Sequence, residues 1–416
     1  MPRRTLPLAA TIALASGSAL LTGSPALAAP ASAAATTVPT HFAMQASGYG
    51  SRVAGGAIPA SSDKSAFQII GCTNLAGLSK TNAEAQLTPA SDLTLSAVKT
   101  HVWTTTSSTG TVNSWASHKI ATATLADASS GLVIDGISSI SHSWHSATGF
   151  HATTKVKVAD ITLDGVPLVV PARGVALPLA NVGTLTLGTG RTARSASAAS
   201  ATVDAVRLHV DATNTTTFLA HTHSQIVDGV RTGLFNGAAY GTSASGLSGQ
   251  ATSGSTPLLI MPCQGTGGTV QHRSIARVHL GGQTNAKALT TSQRAAVTGG
   301  TADAYERAAV GTANVTNTLH AKGVVAKAHV TRTAGGAYTK DTRGTSTGTI
   351  VYNGHQVAIP ASGVLRIPGV ARIESNVISR TRRGISVTAL RVTLLDGSLA
   401  VINIAHAKVS IAPSGL

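Results

Sequence analysis

One hairpin-like pattern occurs twice in this chain, at residues 161–175 and again at residues 350–364, a constant shift of 189 positions. Each copy has an apolar run, an Asp-Gly or Asn-Gly pair, and a second apolar run that contains a proline near its end. Asn, Asp and Gly tolerate the positive φ angles that a two-residue hairpin turn requires. The pattern therefore predicts two equivalent antiparallel hairpins in a duplicated chain.

Further matches extend the duplication. They pair Ala46-Ser47-Gly48 with Ala244-Ser245-Gly246, Cys72 with Cys263, residues 203–208 with 387–392, and residues 219–226 with 404–411. The shift varies between these landmarks, as insertions and deletions in loops would cause. We predict two domains, residues 41–230 and residues 231–416, each large enough to build its own core.

The residues before the first copy are typical of an export signal. Arg3 and Arg4 precede an apolar stretch, and Ala26-Leu27-Ala28 is a small-x-small cleavage site. We predict a signal peptide at residues 1–28 and a flexible Ala/Ser/Thr-rich leader at residues 29–40. The protein is expected to be secreted, without a transmembrane segment, and either released or held non-covalently at the cell envelope.

Alternating apolar and polar residues are the dominant pattern in both copies, as in residues 98–103 and 324–330. With Gly-rich turns between such runs, the sequence predicts an all-β chain of two tandem β-sandwich or jelly-roll-like domains, with a β-solenoid as the alternative. The best helix candidate is residues 302–309, hemmed in by glycines.

Positive charge is concentrated in the second copy. Residues 29–230 hold 11 Lys and Arg against 10 Asp and Glu, whereas residues 231–416 hold 18 against 5. A basic face attracts anionic polymers in a salt-dependent way. We therefore predict contact with an anionic cell-wall polymer, and the candidate anion-binding residues are Arg366, Arg372, Arg380, Arg382, Arg383 and Arg391. The alternative is a solvated surface that only maintains solubility.

Several of these landmarks together resemble a known family. They are the Ala-Ser-Gly opening, the apolar run 257–262 into Cys263, the Asn/Asp-Gly hairpin with its proline, and the closing Leu-Ala-His or Ile-Ala-His strand. The chain resembles the choice-of-anchor P family of secreted actinobacterial proteins. That resemblance implies an exported surface protein of unknown activity and supplies no catalytic residues. The C-terminal anchor of several members is not found in this sequence, so covalent attachment is not expected.

Cys72 and Cys263 are the only cysteines, and they occupy corresponding positions in the two copies. In an exported protein they could form a disulfide between the domains, or they could remain two separate buried thiols. The sequence leaves both alternatives open.

Catalytic patterns are weak. Residues 344–348 match G-x-S-x-G, but a strand rather than a helix is predicted to follow. His221 and His223 share a strand face without a third ligand, and His142 and His145 do not share one. Only three glutamates, Glu84, Glu306 and Glu374, are available for glycosidase chemistry.

The three tryptophans, Trp103, Trp115 and Trp144, all lie in the first copy. They could fill the core or form a platform on which sugars stack.

The sequence thus favours a non-catalytic secreted or envelope-associated structural or binding protein, without cofactor or metal. A secreted hydrolase or metal-dependent enzyme is the alternative. A nucleic-acid-binding motif is not found.

Overall fold

The computed structural model describes residues 36–55, 64–90, 93–126, 131–211, 214–229, 234–245, 251–281, 284–395, 397 and 400–412. Over these residues the secondary structure is entirely β, so the prediction of an all-β chain is confirmed. No helix in the described part of the chain is long and apolar enough to cross a membrane. The predicted signal peptide and residues 29–35 of the predicted leader lie outside the described residues, whereas the end of that leader already belongs to the first strand.

The first half of the described chain contains thirteen strands. These are β1 Val38–Gly55, β2 Gln68–Ala76, β3 Ser79–Ala90, β4 Leu93–Thr106, β5 Val112–Ala126, β6 Gly131–Ser146, β7 Gly149–Lys157, β8 Asp160–Leu163, β9 Val166–Leu168, β10 Ala176–Leu179, β11 Gly183–Arg194, β12 Ala198–Val210 and β13 Thr215–Val227.

The second half repeats them one for one. Its strands are β14 Leu234–Ser245, β15 Ala251–Ile260, β16 Gln271–Gly281, β17 Thr284–Thr298, β18 Thr301–Asn314, β19 Leu319–Arg332, β20 Tyr338–Asp341, β21 Thr349–Tyr352, β22 His355–Val357, β23 Val364–Ile367, β24 Ala371–Arg380, β25 Gly384–Leu394 and β26 Val401–Ala412.

Each half consists of two antiparallel sheets with the same strand order in both halves. Sheet 1 has the order β10-β11-β12-β13-β1-β2, and sheet 2 has the order β3-β4-β5-β6-β8-β9 with β7 also paired to β6. Sheet 3 (β15-β14-β26-β25-β24-β23) and sheet 4 (β16-β17-β18-β19-β21-β22, with β20 on β19) are their counterparts. The predicted tandem sandwich-like halves are confirmed. The connections follow a meander, closed in each half by pairing of the last strand with the first.

The repeated hairpin is present in both halves as predicted. Asp164 and Gly165 join β8 to β9 with φ angles of 52° and 77°, and Asn353 and Gly354 join β21 to β22 with φ angles of 49° and 79°. Two consecutive positive φ angles define the tight turn that fits the twist of flanking strands.

Three local predictions were wrong. Residues 302–309 lie within strand β18 rather than in a helix. The sequence also predicts turns at Asp135-Gly136 and Asn236-Gly237, but these pairs lie inside β6 and β14, where Gly136 has a φ angle of 62°. Glycine at positive φ inside a strand indicates a local bulge rather than a chain reversal.

The correspondence between the two openings also needs correction. Tyr49 pairs with His221, and Tyr240 pairs with His406. Because His221 and His406 are equivalent, Tyr49 corresponds to Tyr240 at a shift of 191. The Ala-Ser-Gly match is therefore out of register, since Ala46 corresponds to Gly237 rather than to Ala244.

Small side chains fill part of the interior of both halves, and larger apolar side chains such as Leu132 and Leu390 fill the rest. Cα atoms of facing strands approach within 8 Å, as between β6 and β13 and between β19 and β26, which is closer than the spacing of about 10 Å typical of packed sheets. In the second half the inward residues include Ala304, Ala326 and Ala407, all fully buried. A Cβ atom at Gly48 would lie 2.9 Å from the Thr100 side chain. The spacing therefore depends on alanine, serine, threonine and glycine at inward positions.

The second half has two polar side chains at inward positions where the first half is apolar. Gln293 and Glu306 lie directly opposite each other on β17 and β18 and are buried. Their counterparts in the first half are Val102 and Ala116. Neither carboxylate oxygen of Glu306 has a hydrogen-bond partner among the described residues. Burial raises the pKa of Glu306 well above its usual value, so this carboxyl is most stable in its neutral form.

A disulfide between Cys72 and Cys263 joins the two halves. The Cα atoms are 4.6 Å apart across a sequence separation of 191 residues. Both cysteines are buried in a small cluster with Ala43 and Leu234. The bond therefore fixes β2 of the first half against the segment that follows β15 in the second half.

The disulfide generates a stability prediction. The variant carrying Cys72→Ser and Cys263→Ser is expected to lose up to about 5 kcal/mol of free energy of unfolding, because a cross-link over so long a loop restricts the unfolded chain. Urea unfolding of the wild type and the double variant measures this loss. Each single variant also lacks the bond and is expected to be destabilised similarly. An unchanged midpoint in the double variant would contradict the assigned role.

Glu306 generates a pH prediction. Its folded-state pKa lies above the unfolded value of 4.5. The stability of the wild type is therefore expected to decrease as the pH rises from 4.5 through the folded-state pKa. The variant Glu306→Gln cannot ionise and is expected to lack this decrease. Thermal unfolding of both proteins at several pH values provides the measurement. A difference in stability between the two proteins that does not grow with pH would contradict the conclusion that the Glu306 carboxyl is neutral in the folded state.

Candidate functional site

The six arginines chosen from the sequence fall into two groups. Arg366, Arg372 and Arg391 lie on β23, β24 and β25, at one end of the outer face of sheet 3. Arg380, Arg382 and Arg383 lie at the turn between β24 and β25. Arg372 and Arg380 are eight residues apart on one strand, which corresponds to roughly 25 Å. The structure therefore does not gather the six into one anion-binding cluster.

The first group is partly neutralised. Arg372 Nη2 lies 2.9 Å from Glu374 Oε1, and Glu374 is also directly opposite Arg391 in the sheet. Arg391 Nε donates to Asn403 Oδ1 at 3.3 Å. These contacts occupy guanidinium donors that an anionic ligand would otherwise use.

The second group is exposed and gains a further cation. The Nζ of Lys340 donates to the carbonyl oxygens of Thr381 and Arg382, at 2.9 and 3.3 Å. All three arginines of the turn are exposed. The turn is therefore a compact cationic cluster of Arg380, Arg382, Arg383 and Lys340.

The structure shows a larger cationic surface that sequence reasoning missed. It is the outer face of sheet 4, across β16 to β19, and we call it the basic face. Arg277 lies opposite Lys287, Lys287 opposite Thr312, and Thr312 opposite Lys322, so three exposed cations form one row across four strands. In a second row, Arg307 lies directly opposite Lys327. Arg294 lies in the row next to that one. The basic face thus comprises Arg277, Lys287, Arg294, Arg307, Lys322 and Lys327.

Two pairs on this face place like charges directly opposite each other, Arg277 with Lys287 and Arg307 with Lys327. Such pairs destabilise a sheet. Lys327 also lies 5.2 Å from the centroid of the Tyr305 ring, a cation–π contact. Within the described residues, Arg277, Lys287, Arg307 and Lys322 form no ion pair.

Acidic residues border one end of the basic face. Asp303 lies 2.8 Å from His329 Nε2 and 3.5 Å from Arg294 Nη1, and Asp341 lies 3.0 Å from His329 Nδ1. Burial alone would raise the pKa of Asp341, but hydrogen bonds from the Arg343 backbone and from His329 lower it below its usual value. The charged groups at this end pair with one another, so the cations without an acidic partner among the described residues lie in the two other rows.

Alternation could have shown that Arg294, Arg307 and Lys327 point outward, because each lies between two buried neighbours. Arg294, Arg307 and Lys327 nevertheless lie on three different strands. Only the pairing register of β17, β18 and β19 brings them side by side, and the sequence does not contain that register explicitly.

The equivalent face of the first half carries aromatic rings instead. On the outer face of sheet 2, consecutive ring centroids are 3.3 to 5.5 Å apart and adjacent planes are within 17° of parallel. We call this set the ring stack, and its members in order are His101, Trp103, Trp115, His142, Trp144 and His151. The bulges at Ala97 and Ala288 match between the halves. Trp103 lies as many residues after Ala97 as Arg294 lies after Ala288, so the two positions correspond.

The stacking decides between the two roles considered for the tryptophans. They do not fill the core, because all three lie on the outer face and are only partly buried. A sugar platform requires a free ring face, yet each indole stacks with two neighbouring rings. The rings therefore present their edges to solvent. Within the described residues, the indole nitrogens have no hydrogen-bond partner and none is buried.

The histidines of the ring stack are held by hydrogen bonds. His142 Nε2 donates to Asn113 Oδ1 at 2.9 Å, and His101 Nε2 lies 2.9 Å from the Ser79 hydroxyl. Burial, and to a lesser extent Lys155, lower the pKa of His142 to about 4. The pKa of His101 is also lowered, by burial and by Lys99.

The remaining histidine candidates have local structural partners. His221 and His223 share the outer face of sheet 1, as predicted. His221 Nδ1 donates to Asp204 at 2.6 Å and stacks on Tyr49, while His223 bonds Thr202. Over the residues that the structure describes, no group of three or more His, Cys, Asp or Glu side chains could hold a metal ion.

The catalytic candidates are dispersed. Ser346 is followed by strand β21, as predicted, and its hydroxyl accepts a hydrogen bond from the Gly348 backbone. Glu306 points into the sandwich, whereas Glu374 lies on an outer face and pairs with Arg372. These two carboxylates therefore do not face one common site.

No protein-family model matches the chain, and no curated protein sequence shows detectable similarity to it. The resemblance to the choice-of-anchor P family stays a prediction.

The ring stack generates a prediction for His142. Its folded-state pKa of about 4 lies below the usual 6.5, so stability attributable to His142 is full above pH 6.5 and is lost as the pH falls through 4. Protonation between two indoles should also change tryptophan emission. The wild type is expected to show a change in tryptophan emission that His142→Gln lacks. The midpoint of that change is expected near pH 4. His151→Gln, at the end of the stack, is the matched control, and a midpoint near 6.5 would contradict the prediction.

Proposed function

We propose that this protein is a non-catalytic secreted or cell-envelope-associated binding protein whose second half contacts an anionic cell-wall polymer. The observation that carries the proposal is the basic face, where like charges lie directly opposite each other without acidic partners. An arrangement that costs stability in the free protein becomes favourable when an anion bridges both cations.

The geometry suits an extended ligand. Arg277 and Lys287 lie on adjacent strands, and Lys322 lies two strands beyond Lys287, so the row spans about 15 Å. A polymer laid across the strands would meet several cations in succession, and each contact would add to the affinity. The cationic cluster at the β24–β25 turn offers a second contact for the same kind of polymer.

Two features favour the extracellular location that this proposal requires. The sequence begins with an export-like segment, and disulfides such as that between Cys72 and Cys263 persist in oxidising compartments. The rival hypothesis of a secreted hydrolase or metal enzyme has less support, because Ser346, the glutamates and the paired histidines all lie in separate places or in local structural contacts.

Removing one row of the basic face tests the proposal. The full-length variant Arg277→Ala, Lys287→Ala, Lys322→Ala is expected to bind purified teichoic-acid-bearing cell walls roughly 100-fold more weakly, on the basis of about 1 kcal/mol for each basic side chain near an anionic surface. The salt dependence of binding should also become shallower. Sedimentation with walls across a salt series measures both.

A charge-matched control separates a specific surface from net charge. Arg191→Ala, Arg194→Ala, Arg207→Ala removes the same charge from the first half and is expected to leave wall binding within about twofold. Equal loss in both variants, or binding that persists on walls stripped of teichoic acid, would contradict the proposal.

A further inference from the structure

The outer face of sheet 2 carries a row of lysines beside the ring stack. Lys99 lies directly opposite Lys119, Lys119 opposite Ser138, and Ser138 opposite Lys157. Lys155 lies two residues from Lys157 on the same strand, and all four lysines are exposed. None of the four forms an ion pair with another described residue. We call Lys99, Lys119, Lys155 and Lys157 the lysine row.

The lysine row and the ring stack are contiguous. Lys99 is close enough to His101, and Lys155 close enough to His142, for their charges to contribute to lowering the pKa of each imidazole. Lys99 and His101 are also neighbours on the outward side of β4. One exposed sheet face therefore combines four cations with six stacked rings.

The second half does not share this arrangement. The row equivalent to Lys99, Lys119 and Ser138 consists of Thr290, Ala309 and Val325. Conversely, Trp103, Trp115 and His142 of the ring stack correspond to Arg294, Tyr305 and His329 on sheet 4. The two halves have therefore acquired different outer surfaces on the same framework, and a shared solubility role does not explain the difference.

The exposed ring edges limit what this face can recognise. Stacked rings leave no free face between them for a nucleic-acid base, which binds by stacking on an aromatic side chain. Indole N–H groups at the edges donate hydrogen bonds to oxygen acceptors, and lysine ammonium groups attract carboxylate or sulfate. A ligand rich in both hydroxyl oxygens and negative charge satisfies both sets of groups.

We propose that the lysine row and the ring stack together form a binding site for an anionic polysaccharide, in which the lysines contact its acidic groups and the indole edges donate to its hydroxyl oxygens. This site belongs to the first half and does not depend on the proposed function of the basic face.

Tryptophan fluorescence reports on this site alone, because all three tryptophans of the chain belong to the ring stack. Titration of the full-length protein with dextran sulfate or polygalacturonate is expected to change the emission saturably. Neutral dextran, which has the same backbone as dextran sulfate without the charge, is expected to give no change at equal concentration.

Two sets of variants assign the contacts. Lys99→Ala, Lys119→Ala, Lys157→Ala is expected to weaken binding at least roughly tenfold, whereas Arg191→Ala, Arg194→Ala, Arg207→Ala removes the same charge elsewhere and is expected to leave the titration unchanged. Trp103→Phe and Trp144→Phe keep a ring but remove an N–H donor, and each is expected to weaken binding severalfold with the lysines intact. Far-ultraviolet circular dichroism verifies the fold of each variant.

Specific outcomes would overturn the proposal. An equal loss of binding in both charge-matched variants would show that net charge alone explains the effect. Polyphosphate, single-stranded DNA or anionic vesicles that bind as tightly as dextran sulfate, with the same change in emission, would show that the saccharide is not recognised. The absence of any change in emission would also exclude the site.

Discussion

The close approach of the two sheets in each half is the constraint on which the rest of the structure depends. Facing strands come within 8 Å of each other at their Cα atoms, and only small inward side chains permit this. Charged side chains and the tryptophans are consequently placed on the outer faces. The arginines, lysines and tryptophans considered above all lie on those faces or at turns, while Glu306 is an exception that resides inside as a neutral acid.

The duplicated framework then allows each outer face to change independently. The matching bulges at Ala97 and Ala288, and at Ala220 and Ala405, keep the same φ angles near 50° in both halves, although alanine rarely adopts that conformation. The two halves thus share the same backbone conformation even at these individual bulges. Over the same positions one face carries the ring stack and the other carries Arg294, Tyr305 and His329. Differences at these outward positions leave the packing between the sheets unchanged.

The sequence predicted the features that depend on local chemistry. The Asp164-Gly165 and Asn353-Gly354 turns, the alternating strands and the duplication follow from backbone preferences and periodicity, and they are present. Residues 302–309 were assigned wrongly because alanine and glutamate favour helices in isolation, whereas sheet pairing on both sides of β18 overrides that preference. The Ala-Ser-Gly match failed because small residues recur throughout this chain, so a three-residue match does not fix a register.

The basic face and the ring stack could not be predicted for a different reason. Both are assembled across three or four strands, and their members become neighbours only through register and strand order. Lysine acetylation mapped by mass spectrometry, with and without purified wall teichoic acid, tests most directly whether the outer face of sheet 4 is a binding surface. We expect protection of Lys287, Lys322 and Lys327, while Lys408 on the opposite sheet of the same half reacts as before. Protection of all lysines alike, or of none, would contradict the assignment of binding to this face.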